Sequence, residues 1–491
     1  MKVLMLGWEF PPHISGGLGV ACEGLTSALT TTGEVQVLFV IPKAHSQASN
    51  DGLDVVGANT LSVPPQATVT LKNDSPNNGH TTAESEGEYT QAHTTSRRDV
   101  MTILETIEVD ADLSAYEPAV RKESKERLAT WNTSITHTTT VRSTTRPGGQ
   151  SAHVNKHTSG AEEGNEENTT YDFDGGYGRN LFREVHKYAV VIGALARERH
   201  FDVIHAHDWM TFPAAVAAKR VSGKPLVTHV HATEFDRAGN TGSPIVYDIE
   251  RLAVTESDKI IAVSKLTRQT LIERYGADPN KVEVVHNGAS MKPTPLENPL
   301  AHPLGEQLVT FLGRITFQKG PEYFIDAAER VLKEFPGAHF VMAGAGDALP
   351  DMIKRVIAKR MSANFHFTGF LLSSDVARLL NYTRVYVMPS VSEPFGLTAL
   401  EAIQAGVPTI ISRQSGVAEV MPDVIKVDFW DTDSLAQAIC GVLRYPLLAQ
   451  TMRQNARKHV PSISWASAAE KVLDLYRRLI MHAELRSPSI L

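Results

Sequence analysis

The feature that most constrains this chain is an alternation of short, uninterrupted apolar runs with helical stretches and glycine-rich turns. The opening run Val3-Leu4-Met5-Leu6 is followed by a glycine turn, a helical stretch over residues 20–31 and a second apolar run over 35–41. Strands that are apolar on both faces must be covered on both sides, and parallel strands need helical crossovers between them. The pattern resumes near Tyr171, with helices expected over residues 181–199, 213–219 and 249–255 and strands over 201–205, 226–230 and 260–263. After a proline-rich stretch, residues 293–303, it restarts with strands over 308–312, 339–343, 365–367, 385–388 and 409–412. Two doubly wound α/β domains joined by a linker follow from this order, and their ligands belong in the cleft outside the carboxyl ends of the strands.

Length agrees, because 491 residues exceed what one core usually organises. Between about residues 44 and 170 the apolar pattern gives way to Thr, Ser, Asn, Glu and His. Such composition buries too little apolar surface to offset ordering entropy, so a mostly disordered insertion is expected, with one amphipathic helix over residues 113–131. Lys and Arg number 48 against 55 Asp and Glu, a formal charge of -7 that argues against nucleic acid or an anionic membrane as partner. Cys22 and Cys440 lie in apolar stretches and suit buried thiols in a reducing compartment. The N-terminal apolar run is too short for a signal peptide, and no run approaches the roughly 18 residues of a membrane span, so a cytoplasmic location is expected.

Chemistry gathers where strands end. Ser392-Glu393-Pro394-Phe395-Gly396-Leu397-Thr398-Ala399-Leu400-Glu401 follows one strand and opens a helix, offering free N–H groups and a positive dipole end to a phosphate. Glu393 suits either a helix cap or sugar hydroxyls, and Glu401 either solvent or a ribose. Gly313-Arg314-Ile315-Thr316-Phe317-Gln318-Lys319-Gly320 brings two cations to another strand end: Arg314 as a bidentate fork and Lys319 as a point charge, as a pyrophosphate requires. Ala343-Gly344-Ala345-Gly346-Asp347 is too short for a dinucleotide fingerprint. Near the N-terminus, Ser15-Gly16-Gly17-Leu18-Gly19 permits close backbone approach ahead of a helix. His205-Ala206-His207-Asp208 and His229-Val230-His231 end two further strands and suit metal ligands or a hydrolase pair, although no third cluster with ligand spacing accompanies them.

Jointly, WEFPPHISGGLG, FDVIHAHDW, HVHATEFDR, VVHNG, LGRITFQKG and EPFGLTALEAIQAGVPTI resemble the GT-B retaining glycosyltransferases, family 4 in particular, including the bacterial glycogen and starch synthases. The resemblance covers about residues 1–43 and 171–480. It implies two Rossmann-like domains facing a cleft: an acceptor-side domain over 1–295 and a nucleotide-sugar domain over 300–464. A last helix over 465–491 would cross back to the first domain. It also implies transfer of a hexosyl, expected to be glucosyl, unit from a nucleotide diphosphate sugar such as ADP-glucose or UDP-glucose, with no metal, no cofactor and no protein nucleophile. Carried over, Gly16 and Gly17 lie by the donor diphosphate and Arg314 and Lys319 neutralise the leaving group. His231 sits near the transferred sugar and Asp208 contacts or supports it. Glu393 holds donor hydroxyls, Phe395, Gly396 and Leu397 offer backbone amides, Glu401 binds the ribose, and Asn287 and Gly288 form a loop at the cleft.

Bacterial glycogen synthases usually carry Lys-x-Gly-Gly where this chain has His13-Ile14-Ser15-Gly16-Gly17, and they generally lack the second carboxylate of the Glu393/Glu401 pair. The expected acceptor is an α-glucan; a lipid, a small molecule or a cell-surface glycan is the alternative within family 4. A non-catalytic nucleotide-sugar binder and a pyridoxal-dependent glucan phosphorylase are the rival readings. The second lacks a lysine-centred cofactor motif.

Overall fold

The structure, a computed structural model, describes residues 1–12, 16–44, 48–50, 52–63, 169–178, 180–289 and 307–486. The expected helix over 113–131, the linker prolines and most of the expected insertion lie outside these residues.

The first half runs β1 (Lys2–Leu6), α1 (Gly17–Thr31), β2 (Gln36–Ile41), β3 (Ala48–Asn50), β4 (Leu53–Gly57), β5 (Ser62–Val63), β6 (Thr169–Thr170) and α2 (Leu181–Glu198). It continues through β7 (Val203–His207), α3 (Phe212–Ser222), β8 (Leu226–Val230), α4 (Glu234–Ala238), α5 (Pro244–Glu256), β9 (Lys259–Ala262), α6 (Lys265–Tyr275) and β10 (Val282–Val284). One sheet has the order β10-β9-β8-β7-β1-β2-β4-β3, parallel except for the β3–β4 pair. Alternate side chains of β1 explain why a run apolar on both faces was needed. Leu4 and Leu6 join the core under α2 and α3, whereas Val3 and Met5 join Leu25 of α1 on the opposite face.

The helices stop and start where their chemistry directs. Ser264 accepts from the Thr267 N–H at the head of α6, Pro213 sits in the first turn of α3, and Gly223 ends α3 in the left-handed region.

Residues 48–50 and 53–57 correct one expectation, because they form strands of the sheet rather than part of the insertion. The Asn50-Asp51-Gly52 sequence is turn chemistry, and β4 beyond it buries Leu53, Val55 and Gly57 alternately beside β2. The polar flanks of so short a strand hide it in a Ser- and Asn-rich stretch.

The second half follows as β11 (Leu308–Leu312), α7 (Pro321–Glu334), β12 (His339–Ala343), α8 (Leu349–Ala358), β13 (Phe365–Gly369), α9 (Ser373–Tyr382) and β14 (Val385–Met388). Then come α10 (Leu397–Gln404), β15 (Thr409–Ser412), β16 (Ile425–Val427), α11 (Thr432–Arg444) and α12 (Pro446–His459). Its sheet, β13-β12-β11-β14-β15-β16, is parallel throughout. The final helix, α13 (Trp465–Arg486), leaves the second half and packs on the first: Trp465, Ala468, Val472 and Tyr476 share a core with Val3, Met5, Leu25 and Val227.

The parallel part of each sheet reverses its strand order once, beside β1 and β7 in the first and beside β11 and β14 in the second. Side chains following these strands therefore meet at two crevices. No helix among the described residues is long and apolar enough to cross a membrane.

Candidate active site

At the second crevice, the loop after β11 carries Arg314, partly buried, to Lys319. The loop after β14 carries Glu393. Lys319 Nζ donates to Glu393 Oε2 at 2.5 Å, and Ser390 Oγ donates to the same oxygen at 3.1 Å. Glu393 is 6% exposed and its backbone is clamped, its N–H donating to Gln414 O and its carbonyl accepting from Gly416 N. Gln318, buried, accepts from the Val391 N–H, so the two loops are stitched together beneath the ion pair.

Immediately after Glu393, Phe395 is buried and Gly396 takes φ +113° to open α10. A Cβ at Gly396 would lie 2.9 Å from Met388 Cε, the movable end of a side chain, so it is the backbone conformation that calls for glycine. Leu397, at the first position of α10, faces the first half: a methyl added at Gly17 would lie 3.6 Å from Leu397 Cδ1. The N-terminal ends of α1 and α10 thus oppose each other across the cleft, both positive dipole ends. Glu401, one turn into α10, has its carboxyl pushed up to about 7 by burial.

At the first crevice, Asp208 follows β7 with φ 60°, a left-handed conformation that Asp adopts more readily than most side chains. Its Oδ1 accepts from the backbone N–H of His231 at 2.7 Å and of Ala232 at 3.3 Å. Asp208 therefore shapes the loop that displays His231. Farther along that loop Thr233 and Asp236 form a reciprocal capping box on α4, and Glu250, buried, accepts from the Glu234 N–H and from Arg237 Nη2 at 2.8 Å. Asp236 Oδ1 also accepts from Ser392 Oγ at 2.6 Å. That bond ties the His231 loop to the residue adjoining Glu393.

The structure thus brings Lys319 and Glu393 together, and Asp208 and His231 together, and joins the pairs through Asp236 and Ser392. Asn287 and Gly288 follow His286, whose ring centroid lies 6.0 Å from that of Phe395. Their neighbours are in the crossing segment, where a Cβ on Gly288 would fall 2.2 Å from Trp465 N. Asn287 lines a cavity of about 240 Å³ with His286, Ser462, Ser464 and Lys471. Beside them Glu419 bridges the halves, accepting from the N–H groups of Lys265 and Leu266 at 2.9 Å and pairing with His286 at 3.0 Å. Ser390, Asp236 and Ser392 were missed in the sequence. The Thr-x-x-Asp capping signature of residues 233–236 was the available signal for one of them.

The two H-x-H segments fall on adjacent strands in register, His207 opposite His229, and one ligand atom from each of His205, His207 and His229 lies within 4.8 Å of the others. Three imidazoles are a conceivable donor set for a borderline metal ion. These residues are however buried with no carboxylate in the set; His205 Nε2 is already bonded to His229 Nδ1 at 3.2 Å and His207 Nδ1 to His231 Nε2, leaving Nε2 of His207 and of His229. Burial pushes His205 down to about 3 and His207 and His229 well below the usual range, with neighbouring imidazoles adding to the effect; His231 is lowered by burial against the pull of Asp208.

The sequence model of the family described as glycosyl transferases group 1 matches residues 294–459, and that of Glycosyltransferase Family 4 matches residues 152–292. An uncharacterized glycosyltransferase of Methanocaldococcus jannaschii is 31% identical over 300 residues, spanning 56% of this chain and 75% of that one. A glycogen synthase of Mycobacterium tuberculosis is 30% identical over 285 residues, 56% of this chain and 68% of the relative. A D-inositol 3-phosphate glycosyltransferase of Mycolicibacterium paratuberculosis is 29% identical over 302 residues, 57% and 68%. Among solved structures, a sucrose-phosphate synthase of Thermosynechococcus elongatus superposes with a TM-score of 0.64 over 98% of this chain and 99% of its own; at 17% identity this speaks to the fold.

Proposed function

This chain belongs to the group 1, family 4 glycosyltransferases, enzymes that move a sugar from a nucleotide sugar, and on that premise we propose that it transfers a glucosyl unit from a nucleoside diphosphate glucose to an α-glucan with retention of configuration. The observation that carries this reading is the Lys319–Glu393 pair, held at the β11/β14 crevice and tied through Ser392 and Asp236 to the His231 loop. It gives one cleft a phosphate-binding cation and a sugar-binding carboxylate side by side.

In this reading the donor diphosphate lies between the opposed N-termini of α1 and α10. Arg314 and Lys319 offset the charge that develops on its leaving oxygen. Glu393 accepts bonds from donor sugar hydroxyls and releases Lys319 to the phosphate, and Glu401 accepts from the ribose. The anomeric C–O bond breaks with its electron pair on the phosphate, the acceptor hydroxyl oxygen bonds to the anomeric carbon on the same face, and its proton passes to the departing phosphate oxygen. No protein nucleophile is required. Asp208 holds the His231 loop against the reacting sugar.

Similarity to a glycogen synthase supports the glucan acceptor, and similarity of nearly the same degree to D-inositol 3-phosphate glycosyltransferases supports a second reading, a small phosphorylated acceptor. Incubation with labelled ADP-glucose or UDP-glucose and either glycogen or inositol 3-phosphate distinguishes them. Label in precipitable glucan bears out the first reading, and label in a small phosphorylated product replaces it with the second.

A further inference from the structure

The reaction just described leaves His207 and His229 without a task, although both are fully buried beside the cleft. Strands β7 and β8 set His205, His207, His229 and His231 on one face of the sheet, with the rings of His205 and His207 stacked at 4.6 Å and those of His229 and His231 at 4.3 Å. Hydrogen bonds divide the four into two pairs. His205 Nε2 meets His229 Nδ1, and His207 Nδ1 meets His231 Nε2 at 2.9 Å. On the inner side, Nε2 of His207 and Nε2 of His229 have no partner.

Those two orphans fix where the protons lie. A neutral imidazole has one N–H and one lone pair, and buried N–H groups without an acceptor are rarer in folded chains than under-used acceptors. A lone pair at His207 Nε2 puts the proton on Nδ1, from which it is donated to His231 Nε2. His231 Nε2 is then the acceptor, so the proton of neutral His231 must sit on Nδ1. Of the four rings, His231 is the one that is not fully buried, and its Nδ1 has no hydrogen bond among the described residues.

We propose that His207 is a positioning residue for sugar transfer: by donating its Nδ1–H to His231 Nε2 it holds His231 as the Nδ1–H tautomer, which presents a hydrogen-bond donor to the bound donor substrate rather than a base. The proposal rests on the reading of His231 as the histidine at the transferred sugar. It assigns His231 the task of steadying an oxygen of the sugar or its leaving phosphate, and it explains why a second histidine is buried directly behind it.

The test compares His207→Leu, His207→Asn, His231→Ala and the His207→Leu/His231→Ala double variant, with thermal unfolding recorded for each. The Asn amide can place a donor near the position of the imidazole Nδ1–H. Loss of the tautomer lock is expected to lower kcat about tenfold, equivalent to ~1.4 kcal/mol, in His207→Leu, with KM for the nucleotide sugar within about threefold. His207→Asn recovers kcat to within about threefold, and the double variant is no slower than His231→Ala. Long-range 15N correlation spectra of histidine-labelled wild-type protein show His231 protonated at Nδ1. A His231 protonated at Nε2 overturns the proposal without any variant having to fold. So does a His207→Leu rate equal to wild type while His231→Ala is impaired, equal impairment of the Leu and Asn variants, or additive losses in the double variant. Wild-type turnover in His231→Ala overturns the underlying site reading instead.

Discussion

Lys319 Nζ lies 2.5 Å from Glu393 Oε2, although the two residues sit on different loops and Glu393 is almost completely enclosed. Each group neutralises the charge of the other. Removing either leaves a charge in a poorly hydrated place and removes a contact to the donor. A hydrogen bond to a charged group is worth about 1.5–3 kcal/mol, and ~1.4 kcal/mol corresponds to tenfold in rate. Lys319→Ala and Glu393→Gln are each expected to slow turnover at least about tenfold, in steady-state assays, while leaving the far-ultraviolet circular dichroism unchanged. Near-normal turnover in either variant removes that residue from the site.

Glu401 makes the site pH-dependent. Burial raises its carboxyl from 4.5 to about 7. Across that window the folded chain holds a proton that the unfolded chain has released. Its contribution to stability is therefore full below pH 4.5 and is lost as pH rises through about 7. Glu401→Gln lacks this loss, so its melting temperature relative to wild type should increase between pH 5.5 and pH 8. Because a carboxylate accepts ribose hydroxyls better than a carboxylic acid, the wild-type KM for the nucleotide sugar should fall over the same range, and that of Glu401→Gln should stay flat. A wild-type KM independent of pH contradicts the ribose role.

Helix α13 is a core element of the first half rather than an appendage. Val472, Leu475 and Tyr476 are fully buried against the face that carries Val3 and Met5. Burying one such side chain contributes about 1.5–3 kcal/mol, and several act together here. Truncation after Pro461 is expected to give an aggregated or protease-sensitive product. The milder Trp465→Ala should lower stability by about 3–5 kcal/mol in chemical denaturation. A soluble, fully active truncated enzyme would contradict this.

Val63 of β5 pairs with Thr169 of β6 in antiparallel register, so the chain leaves and re-enters the described fold at one point. Replacing residues 64–168 by a short Gly-Asn turn should preserve that pairing. The expected outcome is a folded enzyme with turnover within about threefold of wild type. A folded but inactive product would assign the excised residues a part in the reaction.

The sheets and the loops that end them were legible because continuous apolar runs and glycine- or histidine-bearing strand ends follow directly from local chemistry. Helix α6 was not, since Thr267, Leu271 and Tyr275 are its only buried side chains and leave no apolar stripe. Strand β4 was lost for a different reason, being short and flanked by polar residues. At the site, Arg314, Lys319, Glu393 and Glu401 announced themselves as charges on phosphate-suited loops. The Asp236–Ser392 bond and the His207–His231 pairing join residues brought together only by strand register and by the approach of the two halves. Neither is written in spacing along the chain. The close approach of Gly288 to Trp465 is of the same kind, a contact with the last helix that the motif alone does not show.

The central claim, that one cleft built from both halves transfers sugar from a nucleotide sugar, is tested most directly by nucleotide release from ADP-glucose and UDP-glucose, with and without glycogen, for wild type and Lys319→Ala. The predicted result is release from at least one donor that rises with glycogen and falls at least about tenfold in the variant. Release that ignores both the acceptor and the loss of Lys319, or none from either donor, would contradict it.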